Sequence, residues 1–292
     1  MRTPPPAKRA PWTKVFCFFF SKKKNLFFFE KKNQKTFASP EARPRRARLS
    51  AAALLCVLAT SAQAGPPFRT DDPEPVDLGH YEINIFSIGA QAANSWVTSL
   101  PTYELNYGAA PNLQLHILLP VDAANPARGT SGLGLGDLEL GAKYRFVTPG
   151  DDDWFPQAGV FPQLELPTGN TKLGFATGNT QLFLPLWLQK DWGSWTAYGG
   201  GGYWINPGPG NRNYSFTGAA LWRKITDSLN IGVELFHQTN AGRLSPESTG
   251  FNLGLTHDFS AQWHLLASAG EGVQNRTLTN QASYFLGIQI TF

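Results

Sequence analysis

Residues 284–292, YFLGIQITF, place Tyr284, Leu286, Ile288, Ile290 and Phe292 on one face of an extended chain, with Phe285, Gly287, Gln289 and Thr291 on the other. Side chains alternate across a strand, so one face of this segment is continuously apolar to the last residue. The same period of two recurs upstream. Residues 113–121, LQLHILLPV, set Leu113, Leu115, Ile117, Leu119 and Val121 opposite Gln114 and His116. Residues 138–146, LELGAKYRF, set Leu138, Leu140, Ala142, Tyr144 and Phe146 opposite Glu139, Gly141, Lys143 and Arg145. In 180–189, TQLFLPLWLQ, Leu182, Leu184, Leu186 and Leu188 take the apolar face. Strands of about 9–11 residues with one apolar and one wet face suit a tilted path through a bilayer.

Working outward, strands are expected at roughly 79–88, 100–107, 113–122, 135–147, 155–166, 179–190, 195–205, 213–224, 229–239, 249–259, 262–271 and 281–292, about twelve in all. Their connections alternate. Gly108–Asn112, Thr148–Trp154, Asp191–Ser194, Ile225–Ser228 and Ser260–Ala261 are short. Gly89–Ser99, Ala123–Gly134, Pro167–Gly178, Asn206–Arg212, Asn240–Ser248 and Gly272–Asn280 are longer. The expected fold is therefore all-β, a transmembrane antiparallel β-barrel over residues 79–292 with short periplasmic turns and longer outer loops. Tyr107, Tyr144, Phe146, Trp192, Trp195, Trp222, Phe259, Trp263 and Phe292 fall near the periplasmic strand ends, where amphipathic rings favour the headgroup level. Gly287, Ile290 and Phe292 resemble the glycine, hydrophobic and terminal-aromatic pattern by which bacterial barrels are recognised for insertion. That makes the barrel-assembly machinery and outer-membrane lipid the expected partners.

The chain splits in composition near residue 64. Of its 25 Lys and Arg residues, 14 lie in residues 1–64 against the two acids Glu30 and Glu41, giving that part +12 and the remainder, with 11 bases and 19 acids, −8. The basic pI near 9.0 thus belongs to the extension, and nucleic acid is excluded as a partner of the folding part. Residues 43–64, RPRRARLSAAALLCVLATSAQA, have the arginine cluster, short apolar run and Ala62-Gln63-Ala64 site of a secretory signal, with cleavage expected near Ala64. Residues 1–42 form a low-complexity extension whose origin is read as a start assigned too far upstream. Residues 65–78 are expected to form a periplasmic segment before the barrel. Both cysteines, Cys17 and Cys56, precede the cut, so no disulfide or thiolate metal site is expected after it.

Inward positions by the alternation include Glu104, His116, Asp137, Glu139, Lys143, Arg145, Glu165, Arg223 and Glu234, together with Asn106, Gln114, Gln163, Gln181, Gln189, Tyr198 and Gln238. Mixed charge at these sites forms either a solute-selecting constriction, centred on Glu139, Lys143, Arg145 and Glu165, or cross-strand pairs filling a narrow interior. A hydrolase would need a serine and a histidine in hydrogen-bond reach. None of His80, His116, His237, His257 and His264 begins a His-x-Ser step, and His264 and Ser268 stand about 13 Å apart along an extended strand. No catalytic residue, metal or cofactor is assigned. The glycine runs at 132–136 and 199–202 are read as strand glycines that allow kinks or close approach.

Four stretches, PTYELNYGAAPNLQLHILLP (101–120), GLGDLELGAKYRF (134–146), FPQLELPTGN (161–170) and LPLWLQKDWGSWTAYGGGGYW (184–204), resemble a family of outer-membrane transporters named for the meta pathway of phenol degradation. The resemblance runs over most of residues 66–292. It implies an outer-membrane channel for passive uptake of small solutes, aromatic or hydrophobic ones among them. It supplies no catalytic residues. The rival readings are a structural or adhesive barrel with a packed lumen and, behind it, a lipid hydrolase.

Overall fold

The computed structural model describes residues 67–292 apart from 93–94, 126–130, 151–153, 172–174, 177 and 244. The extension, the signal-like segment and part of the connection expected at Thr148–Trp154, residues 151–153, lie outside the described residues.

The chain forms a closed antiparallel barrel. In order, the strands are β1 (Tyr81–Ala92), β2 (Ser95–Ala110), β3 (Leu113–Asn125), β4 (Gly132–Leu135), β5 (Leu138–Val147), β6 (Gln157–Val160), β7 (Gln163–Leu166), β8 (Gln181–Trp192), β9 (Trp195–Ile205), β10 (Tyr214–Lys224), β11 (Leu229–Gln238), β12 (Ser248–Asp258), β13 (Trp263–Gln274) and β14 (Ala282–Thr291). A single turn of helix, α1 (Arg276–Thr279), lies between the last two. β4 with β5 and β6 with β7 each form one interrupted stave, so the 14 strands make twelve staves. The interruptions have local causes. Pro162 has no N–H to donate, although its carbonyl still accepts from Ala142 N at 3.2 Å. At the other break Gly136 passes so close to Asp122 and Pro120 that no Cβ fits.

β14 pairs with β1 from Glu82↔Thr291 to Gln91↔Ala282, which closes the ring. Closure is physically required, because an open edge in hydrocarbon leaves amides unpaired at several kcal/mol each. The outward faces of β3, β8 and β14 carry Leu115, Ile117 and Leu119; Leu184, Leu186 and Leu188; and Leu286, all exposed. An exposed apolar band around a closed barrel is a lipid-facing surface. Among the described residues no helix is long and apolar enough to cross a membrane.

The expected connection pattern holds at one end, the turn end, where Ala110↔Leu113 and Trp192↔Trp195 bracket two-residue turns. Asn112 (φ 59°) and Gly193 (φ 58°) supply the left-handed backbone that such tight hairpins need. At the opposite, loop end the sequence reading needs correction. Gly89–Ser99 is expected to be a long loop, yet β1 and β2 run through it and pair from Ile88↔Ser99 to Ala92↔Ser95. Beyond the apolar band an outward residue need not be hydrophobic, so the period fades while the hydrogen-bond ladder continues.

Candidate functional site: a segment held in the lumen

Residues 67–77 run inside the barrel, which corrects the expectation of a periplasmic segment. Pro67, Pro73 and Pro75 deny this stretch a regular ladder, and side chains of the inner wall satisfy its backbone instead. At the turn end Leu78 bridges Gly108 of β2, with Gly79 N to Gly108 O at 2.8 Å and Gly108 N to His80 O at 3.1 Å. Farther in, Gln114 Oε1 accepts from Val76 N at 3.0 Å and Gln157 Nε2 donates to Glu74 at 2.7 Å. Lys143 of β5 reaches Asp71 at 3.0 Å and Asp72 at 3.6 Å, and Arg145 lies 3.6 Å from Glu74.

The tip of the segment is held from the opposite wall. Glu234 of β11 accepts on one oxygen from Arg69 N (2.9 Å), Thr70 N (2.5 Å) and Thr70 Oγ1 (2.7 Å), and on the other from Asn252 Nδ2 (2.6 Å). Ser268 Oγ donates to Pro67 O at 2.6 Å. Phe68 is fully buried, its ring 4.7 Å from that of Trp222, and Trp222 Nε1 donates to Tyr198 Oη at 3.0 Å. Two wall glycines make room: a Cβ on Gly254 would stand 2.6 Å from the Phe68 ring, and one on Gly218 would stand 2.0 Å from Thr70 Oγ1. The segment and its groove are therefore matched in shape as well as in charge.

Asp71 and Asp72 lie on this segment and not on a spanning strand. Burial pushes both carboxyls up from the ordinary carboxylate value of 3.8, and the Lys143 ammonium pulls them part of the way back. An acid whose value is raised on docking binds its proton more tightly in the docked state. Its contribution is present below 3.8 and is lost as pH rises through the raised value. Acidification is therefore expected to tighten docking. Protease cleavage within residues 67–77 of the folded barrel, followed from neutral to acidic pH with an acid-tolerant protease, should slow as pH falls.

The inner wall has two chemically distinct sides. Across β1 to β5, Asn106 bridges Glu82 (3.1 Å) and Glu104 (2.6 Å) with its Nδ2 and meets Gln114 and His116 with its Oδ1. His116 Nε2 stands 3.4 Å from Glu139, and Gln181 donates to Glu165 at 2.7 Å. Across β8 to β11 the wall is aromatic. Phe183 stacks on Trp204 at 4.7 Å, Trp204 on Tyr214 at 5.8 Å, and Phe216 faces Phe236 at 6.4 Å. The aromatic side is absent from the sequence reading, because in LFLPLWL both faces of the strand are apolar and alternation carries no contrast. The signal available was ring size, with Phe183 and Trp187 facing in and leucines facing out.

Of the residues expected inside, Glu104, His116, Asp137, Glu139, Lys143, Glu165 and Glu234 are buried within the barrel, and Arg145 sits at the turn end against Asn112 and Gln157. Arg223 is not in the lumen. It is exposed, with its guanidinium 5.1 Å from the Trp195 ring on the outer surface. Trp222, expected in the outer aromatic girdle, is the inward residue, 3% exposed. A one-residue register error in β10 exchanges the two, since a slip by one turns every side chain to the other face. Tyr144, Trp192, Trp263 and Phe292 are exposed on the outside, Trp195 and Tyr107 are half-buried, and Tyr107 stacks on Tyr81 at 4.6 Å. Gly287 faces inward beneath Phe86 and Phe285, where a Cβ would come within 2.7 Å of Phe86 Cβ, while Ile290 is half-buried.

Solved structures share this architecture. The chain superposes on the COG4313 outer membrane channel from Pseudomonas putida F1 with a TM-score of 0.64 at 16% identity, covering 76% of this chain and 98% of that one. It superposes on the KdgM porin with a TM-score of 0.51 at 12% identity, covering 72% and 99%. The fold is that of outer-membrane barrel channels. No protein-family model and no curated relative matches the sequence.

Proposed function

We propose that this chain is a passive channel of a bacterial outer membrane, exported by the signal at 43–64, whose lumen is occupied and controlled by residues 67–77. The solutes are small compounds, aromatic or hydrophobic ones among them, as the resemblance to the phenol-pathway transporter family implies. The carrying observation is the polar inner wall. Thr102 Oγ1, Gln163 Oε1, Trp187 Nε1, Gln189 Oε1 and Gln289 Nε2 are buried without a hydrogen-bond partner among the described residues. Buried polar atoms demand partners, and in a lumen the partner at hand is water. A hydrated interior suits a channel; a packed structural barrel would have paired these groups. The aromatic wall adds a surface on which planar solutes stack weakly and reversibly.

Transport without catalysis fits the engagement of the nearest serine and histidine, since Ser268 is bound to the segment and His264 lies 2.8 Å from Asp258. The exposed Phe292 with Ile290 and the tightly packed Gly287 support recognition of β14 by the barrel-assembly machinery.

The test is reconstitution into planar bilayers. Once the segment has left, the described inner wall keeps seven buried carboxylates, Glu82, Glu104, Asp122, Asp137, Glu139, Glu165 and Glu234, against the buried Lys143 and the half-buried Arg145. A lumen lined by fixed charge of one sign selects counter-ions. Open channels are therefore expected to favour potassium over chloride several-fold, read as reversal potential in a salt gradient. Folded protein that stays non-conducting even after the segment is cut out would favour the packed structural barrel.

A further inference from the structure

Arg223, which the register turns to the outer surface, is used by neither the lumen nor the segment. It stands at the turn end of β10, with Trp195 of β9 as its register partner and Trp192 of β8 paired in turn with Trp195. The side chain is exposed, its guanidinium 5.1 Å from the centre of the Trp195 ring. Among the described residues it has no ion pair and no side-chain hydrogen bond. A ring face holds the cation but leaves the N–H donors of the fork without acceptors. At the headgroup level of a bilayer, where these tryptophans place it, the strong acceptors at hand are lipid phosphates.

The nearby acids are spent. Asp227 pairs with Lys224 at 3.0 Å, and Asp191 accepts from Thr196 Oγ1 (2.7 Å) and from the inward Gln189 (3.1 Å). Lys190, the register partner of Ala197, adds a second cation to the outer face of β8. This surface is therefore net positive and, among the described residues, offers no free carboxylate to the ammonium of a zwitterionic headgroup. Toward the loop end the wall dips. Leu188, Gly199, Ala219 and Leu235 are successive register partners across β8 to β11, so two small residues lie between two exposed leucines. A Cβ on Gly199 would stand 3.2 Å from Ala219 Cβ, the two facing the same side. Ala197 and Gly201 continue the floor along β9 for about 13 Å of extended chain, against about 15 Å of hydrocarbon in one leaflet.

We propose that this surface binds one anionic phospholipid of the periplasmic leaflet, of the phosphatidylglycerol type. Its phosphodiester takes the Arg223 fork between the tryptophans, and one acyl chain lies in the trough floored by Gly199 and Ala219. A planar fork meets two phosphate oxygens at once, and the single net negative charge of the lipid matches the cations around it. The leaflet is set by the short turns, which face the periplasm in barrels of this kind. The site is on the outer surface and is independent of what passes through the lumen.

The experiment is native mass spectrometry of the folded full chain released from micelles carrying phosphatidylglycerol, phosphatidylethanolamine or diacylglycerol of equal acyl length. The expected result is a single saturable phosphatidylglycerol adduct, retained about fivefold more strongly than phosphatidylethanolamine and at least about tenfold more strongly than diacylglycerol. Arg223→Gln should bring phosphatidylglycerol down to the level of phosphatidylethanolamine. Lys224→Gln, a change at a cation already paired with Asp227, should leave the order of the three lipids unchanged. Ala219→Phe, an outward substitution that fills the trough, should lower retention several-fold without erasing the preference. Heat-modifiable migration on gels shows that each variant is folded. Absence of a saturable adduct, equal retention of phosphatidylglycerol and diacylglycerol, or an Arg223→Gln variant that keeps the preference would each overturn the proposal. So would a Lys224→Gln variant that loses the preference equally, since bulk charge would then explain it, or an Ala219→Phe variant that retains lipid as the parent does.

Discussion

Lys143→Met is expected to release residues 67–77 from the lumen and convert a mostly closed barrel into an open one. The Lys143 side chain is fully buried and its ammonium sits 3.0 Å from Asp71 and 3.6 Å from Asp72. Removing the cation leaves two buried carboxylates facing each other with no counter-charge, within a wall that is already acidic. Breaking a buried pair from one side costs about 3–5 kcal/mol, which is roughly two orders of magnitude or more in the docking equilibrium. The barrel loses little, because its ladder does not run through this side chain. The expected readout is a several-fold rise in single-channel open time, with unchanged heat-modifiable migration on gels as the sign of an intact barrel. Lys143→Arg should stay near the parent. Acidification should narrow the gap between Lys143→Met and the parent, because protonation neutralises the stranded acids.

Phe68→Ala acts on the same segment through packing and not charge. The ring is fully buried against Trp222 and fits under Gly254, a position that admits no Cβ beneath it. Truncating a buried phenylalanine costs about 3–5 kcal/mol. Faster amide exchange is expected across residues 67–77 with strands β10 to β12 still protected, together with longer openings. Combined with Lys143→Met the effect should be far less than additive, since a segment already released has no second docking energy to lose.

These two residues also mark where sequence reading succeeded and where it stopped. Lys143 was legible as inward because LELGAKYRF alternates between strongly apolar and strongly polar residues, and that contrast fixes register. The closure of β14 on β1 was legible for the same reason. In β10 the contrast collapses: Ala219-Ala220-Leu221-Trp222-Arg223 offers apolar residues on both faces, and Trp222 and Arg223 exchange places on a slip of one. Phe68 and its neighbours lay outside any periodic pattern. A proline-rich stretch of mixed charge reads as a solvated linker, and only the three-dimensional match of Asp71 and Asp72 to Lys143, and of Thr70 to Glu234, brings it indoors. Its complement was present in the sequence as Gly218 and Gly254, but an isolated strand glycine does not say what approaches it.

The most direct test of the central claim tethers the segment where it lies. A Cβ at Gly218 would stand 3.1 Å from Thr70 Cβ, near the span of about 3.5–4.5 Å that a disulfide bridges. Both native cysteines, Cys17 and Cys56, precede the expected cleavage near Ala64, so Thr70→Cys with Gly218→Cys introduces the only thiols of the processed chain. Single-channel current of this variant in planar bilayers should be silent when oxidised and should recover openings on reduction. Equal conductance in the two states would contradict the account, because current would then pass without regard to the segment that fills the lumen.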